Sequence, residues 1–203
     1  MLLPLRLALV LSFVALATAA QAAAVTVSVT DEAGRPLANA VVMLESATGK
    51  LAVKPMPQVD IAQAKNQFTP QLTVVTVGTA VNFPNFDTVR HHVYSFSPIK
   101  TFELKLYAGV PNSPVVFDKP GAAVLGCNIH DRMAAWVVVV DTPHHARTSD
   151  SGQVKLDGVP AGNYRLLAWH AGVPAGKEPA PLALSVAAGG NTQAQIKLPA
   201  SPL

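Results

Sequence analysis

Val25 to Thr30 alternates apolar and polar residues without a break, which predicts a half-buried β-strand. Asp31 to Pro36 follows as a turn cluster, and Ala40 to Leu44 as a second strand. Further along, short apolar runs are cut by Gly and Pro. Leu72 to Val77 stops at Gly78, Ala80 to Phe83 at Pro84, and Val115 to Phe117 before Pro120-Gly121. His91 to Phe96, Ala122 to Cys127 and Ala134 to Val140 are rich in β-branched and aromatic residues. Late in the chain Tyr164 to Trp169, Leu182 to Val186 and Gln193 to Leu198 complete the series, with Gly189-Gly190-Asn191 expected as a hairpin turn. Helical periodicity has one weak candidate, Ile61 to Gln67. Short strands at regular spacing with turn residues between them predict an all-β protein of sandwich or Greek-key type.

The N-terminus reads differently. Met1 to Arg6 is short and basic, Leu7 to Ala20 is apolar, and Ala20-Gln21-Ala22 offers small residues for cleavage. Residues 1–22 are therefore expected to be a signal peptide, its apolar run being short for a spanning helix, and the rest to be periplasmic or secreted. No other stretch looks transmembrane, so no membrane association is expected after cleavage. The formal charge is only +3 and no run of Lys or Arg occurs, which argues against a nucleic-acid partner.

Export gives weight to the single cysteine, Cys127. It has no partner for an internal disulfide, and an oxidising compartment threatens a free thiol. A buried inert Cys is one explanation and metal ligation is another. Cys127-Asn128-Ile129-His130-Asp131-Arg132-Met133 favours the second, because thiolate, imidazole and thioether fall within one short loop. A further imidazole, His91 or His92, lies upstream. Two His, one Cys and a Met form the donor set of an electron-transfer copper site, since soft sulfur suits Cu(I) and imidazole suits both oxidation states. Glu103 is a harder rival to Met133. His144, His145 and His170 show no zinc-type spacing and read as ordinary loop or strand-end residues. Asn85 and Asp87 read as residues that fix the loop before His91. A thiol enzyme finds little support, because no substrate-shaped constellation accompanies Cys127 and His130; the chain is not expected to be an enzyme.

Two resemblances sharpen this reading. Phe68-x-Pro70, the run from Val77-Gly78-Thr79 through Asn85-x-Asp87 to His91-x-Val93, Phe117-x-x-Pro120-Gly121 and Cys127-x-x-His130-x-x-Met133 resemble the cupredoxin family, nearest in pattern to plastocyanin and amicyanin. Val25 to Val41 and, after a gap of about a hundred residues, Thr148 to Gly152 and Val159 to Leu166 resemble a carboxypeptidase-regulatory-like, or transthyretin-like, β-sandwich. The latter stretch looks like that family's hairpin. Chains that join two such parts resemble those grouped as methylamine utilisation proteins.

The resemblance implies a cupredoxin sandwich over residues 51–140, inserted in a second sandwich made of 23–50 plus 141–203; a linear arrangement, side by side, is the rival. It implies one type 1 copper ion held by His91, Cys127, His130 and Met133, with His91 rather than His92 facing inward. It also implies electron transfer to and from redox proteins, such as an amine-dehydrogenase-like donor or a cytochrome acceptor. His130 would be the surface ligand, with Ala134, Ala135 and the Pro84 loop in an apolar patch around it. The relatives carry Pro where this chain has Ile129, so an extra N–H to the Cys127 sulfur is expected. A copper store, or a metal-free adhesion module, remains as an alternative.

Overall fold

A computed structural model describes residues 23–201, so the leader expectation for 1–22 lies outside the described residues. Seventeen strands and no helix occur among them. The fold is all-β, as the strand patterning predicts. The first two strands are β1 (Ala23–Asp31) and β2 (Val41–Ser46). Short elements follow: β3 (Val59–Asp60), β4 (Ala62–Ala64), β5 (Gln67–Thr69), β6 (Leu72–Thr76) and β7 (Thr79–Asn82). Next come β8 (His91–Ser97), β9 (Lys100–Tyr107), β10 (Val115–Phe117), β11 (Gly121–Cys127) and β12 (Ala134–Val140). The chain closes with β13 (His144–Arg147), β14 (Gln153–Val159), β15 (Gly162–Trp169), β16 (Leu182–Val186) and β17 (Asn191–Leu198).

The two ends of the chain share sheets. One sheet has the order β14-β1-β17 and another β13-β2-β15-β16. Val25, Val27 and Val29 point from β1 into a core completed by Leu44, Leu156, Leu166, Ile196 and Leu198. Thr26, Ser28 and Thr30 take the other face, the outcome that period-two alternation dictates. Thr148 ties the distant segments. Its buried hydroxyl donates to the Leu37 carbonyl at 2.6 Å and accepts from the Ala40 N–H at 2.9 Å.

The strands between them build a second pair of sheets, β10-β7-β3 and β6-β12-β11-β8-β9, with β4 and β5 as a small hairpin. Their core contains Val81, Phe83, Phe117, Leu125, Val137 and Val139, with Cys127 and Met133 at its edge toward the loops. The Phe83 and Phe102 rings stack with centroids 5.6 Å apart, and Phe102 meets Phe117 edge-on at 6.2 Å. A buried ring of this kind contributes about 1.5–3 kcal/mol. A third cluster joins the two halves: Val41, Val138 and Val140 pack with Met43, Leu72, Val74 and Trp169. Val137 to Val140 is therefore buried on both faces, which explains its unbroken run of valines.

Four local expectations are corrected. Ile61 to Gln67 is no helix but part of the β4–β5 hairpin, because Lys65 and Asn66 both take left-handed backbone, each with φ 55°. His144 and His145 lie in an edge strand paired with β2 rather than in a loop. The turn at Gly189-Gly190 makes no hairpin: β16 pairs with β15, whereas β17 runs parallel to β1 in the other sheet. Val186 thus reaches the same core as Ile196 and Leu198 from the opposite side. The Pro160–Gly162 corner likewise moves the chain between sheets, with Tyr164 Oη donating to the Pro160 carbonyl at 2.9 Å.

Candidate metal centre

Neighbouring strands bring the first two donors together. β11 ends at Cys127, whose antiparallel partner on β8 is Val93. His91 opens β8 two residues before Val93 and so shares its inward face; both are fully buried. The third donor comes from the turn between β11 and β12. There the His130 N–H donates to the Cys127 carbonyl at 3.4 Å, the Met133 N–H to the His130 carbonyl at 2.9 Å, and the Cys127 N–H to the Met133 carbonyl at 3.2 Å. The loop closes on itself, and Ala134 begins β12 directly opposite Gly126.

The result is a compact group. Cys127 Sγ lies 3.6 Å from His91 Nδ1 and 3.7 Å from His130 Nδ1. All three donor atoms fall within 4.8 Å of one another, and among the described residues this is the one such group of three. His91 and Cys127 are buried and His130 is half-buried. The donor set fits a soft, nitrogen-tolerant metal ion.

The far side of His91 is held by a carboxylate. His91 Nε2 lies 2.8 Å from Asp87 Oδ2, and Asp87 accepts the Lys65 N–H at 2.6 Å and the Asn66 N–H at 3.0 Å. Burial alone would raise the Asp87 carboxyl. The bonds from the Asn66 N–H, the His91 ring and the Lys65 N–H outweigh it and hold the group below the usual carboxylate range. With an ionised carboxylate as partner, the His91 proton is assigned to Nε2, which leaves the Nδ1 lone pair facing Cys127. Asn85 secures this loop: its side-chain amide donates to the Val89 carbonyl at 2.9 Å and the Tyr107 carbonyl at 3.0 Å. Tyr107 lies opposite His91 on β9 and donates to the Phe83 carbonyl at 2.6 Å. Burial, opposed by the Gln63 bond and aided by the Cys127 charge, pushes its phenol up to about 12.

Of the remaining candidates, Met133 stays with this group and the others separate from it. Met133 is buried beside Cys127 in the core cluster. His92 points to the other face of the sheet, where its Nε2 lies 3.0 Å from a Glu103 oxygen without hydrogen-bond alignment, and its ring meets Tyr94 edge-on. Glu103 is thereby placed with His92 rather than with Cys127. His144, His145 and His170 lie in the other pair of sheets or beside it. His145 Nδ1 is 2.9 Å from the Thr142 carbonyl, and His170 Nδ1 accepts the Gly172 N–H at 3.1 Å. Burial lowers the pKa of His144 and His170, aided at His144 by neighbouring His145 and opposed at His170 by the Ala38 carbonyl.

The surface around His130 differs from expectation. Ala135 and Pro84 are buried and Ala134 is half-buried, because these positions pack inward at the strand ends. The exposed apolar side chains at this end are Phe86 (71 %), Val110 (62 %), Ile129 (48 %) and Val89 (44 %). The loops that carry Phe86 and Val110 touch, since the Asn85 N–H donates to the Gly109 carbonyl at 2.7 Å. The Ile129 N–H is not among the sulfur's hydrogen-bond partners in the described residues; both come from imidazoles. Sequence reasoning missed the Asp87 contact with His91 altogether. Four residues of separation carry no signal in an irregular loop.

No family model and no curated protein matches the chain. Solved structures do. A copper-containing nitrite reductase from Thermus scotoductus is 26 % identical with a TM-score of 0.39, over 46 % of this chain and 25 % of that one. This chain thus spans about a quarter of the reductase. A purple cupredoxin from Nitrosopumilus maritimus is 22 % identical with a TM-score of 0.37, over 42 % of this chain and all of that one. Amicyanin from Paracoccus versutus is 16 % identical with a TM-score of 0.35, over 51 % of this chain and 100 % of its own.

Proposed function

We propose that His91, Cys127, His130 and Met133 hold one copper ion of the type 1 class and that the protein is an exported electron carrier, not an enzyme. The observation that supports this best is the convergence of His91 Nδ1, Cys127 Sγ and His130 Nδ1 within 4.8 Å at the end of a β-sheet core. When bound, the ion supplies a one-electron couple. The chain's part is to hold the donors nearly still. Cys127 and His91 are fixed by adjacent paired strands, and His130 by a loop hydrogen-bonded to itself. A frame that does not rearrange between oxidation states lowers the cost of each electron exchange. Met133 enters as the fourth donor on its spacing after His130 and its burial beside Cys127.

His130 is the half-buried member of the set, and Phe86, Val89, Val110 and Ile129 expose apolar surface on the loops at its end of the molecule. A redox protein would dock there, with His130 as the exit. The leader pattern over 1–22 supports a periplasmic location. The strands outside 51–140 would form the second sandwich, which packs on the copper-holding part through Val41, Val138 and Val140.

The test is cyclic voltammetry on the copper-loaded chain, with metal content measured before and after. An intense visible band, one copper per chain and many reversible cycles without loss of metal are expected. Loss of copper on reduction would mark a store instead. A colourless protein would refute the copper reading.

A further inference from the structure

The group behind His91 is more elaborate than a hydrogen-bonded ring requires. The β4–β5 hairpin bends at Lys65 and Asn66, both at φ 55°, so their N–H groups turn to the same side. Both N–H groups bind Asp87, one on each carboxylate oxygen, at 2.6 and 3.0 Å. The hairpin is itself pinned to the Asp87 loop: the Gln63 N–H donates to the Pro84 carbonyl and the Phe86 N–H to the Gln63 carbonyl, each at 2.8 Å. The Asp87 N–H donates to Asn85 Oδ1 at 2.9 Å. Asp87 is therefore gripped by its own loop and by a hairpin that contributes no donor to the metal group.

We infer that the Lys65-Asn66 turn is a remote tuning element: it positions Asp87, which in turn positions His91 and sets its donor strength toward the ion. Two effects follow from this arrangement. Geometrically, the fixed carboxylate selects the tautomer with Nε2 protonated and aims Nδ1 at the site. Electronically, a carboxylate on the ring N–H makes the imidazole a stronger base, which favours the more highly charged copper state and lowers the reduction potential. The turn acts without touching the metal, because left-handed backbone at both residues is what points the two N–H groups at one carboxylate. A β-branched residue opposes that backbone, whereas glycine accepts it.

The inference rests on the copper reading, so its test has one arm that needs no metal. In the metal-free protein, nitrogen-15 NMR should show His91 as the Nε2–H tautomer, and Asp87→Ala should mix the tautomers. In the copper-loaded protein Asp87→Asn keeps an acceptor but loses the charge. It should retain the visible band, raise the reduction potential and weaken copper about 10- to 100-fold. Asn66→Val should move the potential the same way, while Asn66→Gly leaves it unchanged. Asn39→Val is the control: Asn39 also has left-handed backbone, with φ 61°, but lies in the turn between β1 and β2, which belong to the other pair of sheets. It should lower stability and leave the potential alone. An unchanged tautomer in Asp87→Ala, or an unchanged potential in Asp87→Asn with the band intact, overturns the inference while the copper reading stands. A wild-type chain with no band sinks the copper reading, and the NMR arm still decides whether Asp87 positions His91.

Discussion

Gly126 immediately precedes Cys127 and lies under a tyrosine ring. A Cβ built at 126 would sit 2.6 Å from Tyr94 Cζ, 2.7 Å from its Oη and 3.1 Å from its Cε1. Comfortable carbon contacts are about 3.5–4.0 Å, so Gly126→Ala must push the ring away by about 1 Å. The atoms met are the tip of a side chain that is only half-buried, so the ring can pivot and the backbone at Cys127 stays in place. Pivoting costs an off-rotamer angle, about 0.5–1.5 kcal/mol. It also disturbs the ring pair with Phe96, whose centroid lies 5.1 Å away, worth about 0.5–1.5 kcal/mol. Against this, replacing a strand glycine by alanine returns about 0.4–1 kcal/mol through the unfolded chain, because φ at 126 is not left-handed. The net expectation is a loss of about 1 kcal/mol, read as a lower urea midpoint with an unchanged slope. In a Tyr94→Ala background the clash is gone and only the entropic gain remains. Gly126→Ala should then stabilise by about 0.4–1 kcal/mol. This change of sign in a double-mutant cycle is the test. Equal effects in both backgrounds would refute the reasoning, and loss of the visible band in Gly126→Ala would show that the backbone, not the ring, gave way.

Thr148→Val keeps the side-chain shape but leaves the Ala40 N–H and Leu37 carbonyl without their partner. At about 1–3 kcal/mol for each buried unpaired group, the variant should lose about 2–6 kcal/mol in urea denaturation; a loss under about 0.5 kcal/mol would contradict the role given to that hydroxyl. Asp31 supplies a pH signature. Burial raises its carboxyl, but the backbone and side-chain bonds of Arg35 more than offset this and hold it below its ordinary value. A folded-state value below the unfolded one, about 3.9, gives stability that is present above that pH and lost as pH falls through the folded value. Arg35→Ala should therefore be less stable than wild type at neutral pH, with the gap closing below about pH 4. The gap should also shrink in salt, because the Arg35 side chain is exposed. A gap constant from neutral to acid pH would argue that Arg35 acts through packing instead.

Legibility followed the range of the interaction. The alternation of Val25 to Thr30 is a property of one strand and reads directly from the chain. So does the loop from Cys127 to Met133, whose backbone hydrogen bonds within the turn are local apart from the Asn128 N–H to the His92 carbonyl. His91 needed more, since only a family resemblance separates it from His92; the structure separates them by face, through the pairing of Cys127 with Val93. The Lys65-Asn66 turn stayed hidden because Ala62 to Gln67 lacks β-branched residues and favours helix on local propensity. Tertiary pairing of Gln63 with the Pro84–Phe86 loop overrides that preference. Strand β9, Lys100–Tyr107, was missed although its residues alternate, because Lys, Glu and Leu dilute the β signal. At Gly189-Gly190 the sequence marks a bend and says nothing about which sheet the next strand joins. Turn chemistry sets a local angle; the apolar residues Ile196 and Leu198 choose the partner by facing the shared core.

The central claim is that one sulfur and two imidazoles close on a single copper ion. X-ray absorption at the copper edge of the loaded full chain tests it most directly. The account predicts one short sulfur neighbour and two imidazole nitrogens per copper in wild type, with the short sulfur contribution gone in Cys127→Ser and retained in His92→Ala. A copper shell of nitrogen and oxygen alone, or one that Cys127→Ser leaves unchanged, would contradict it.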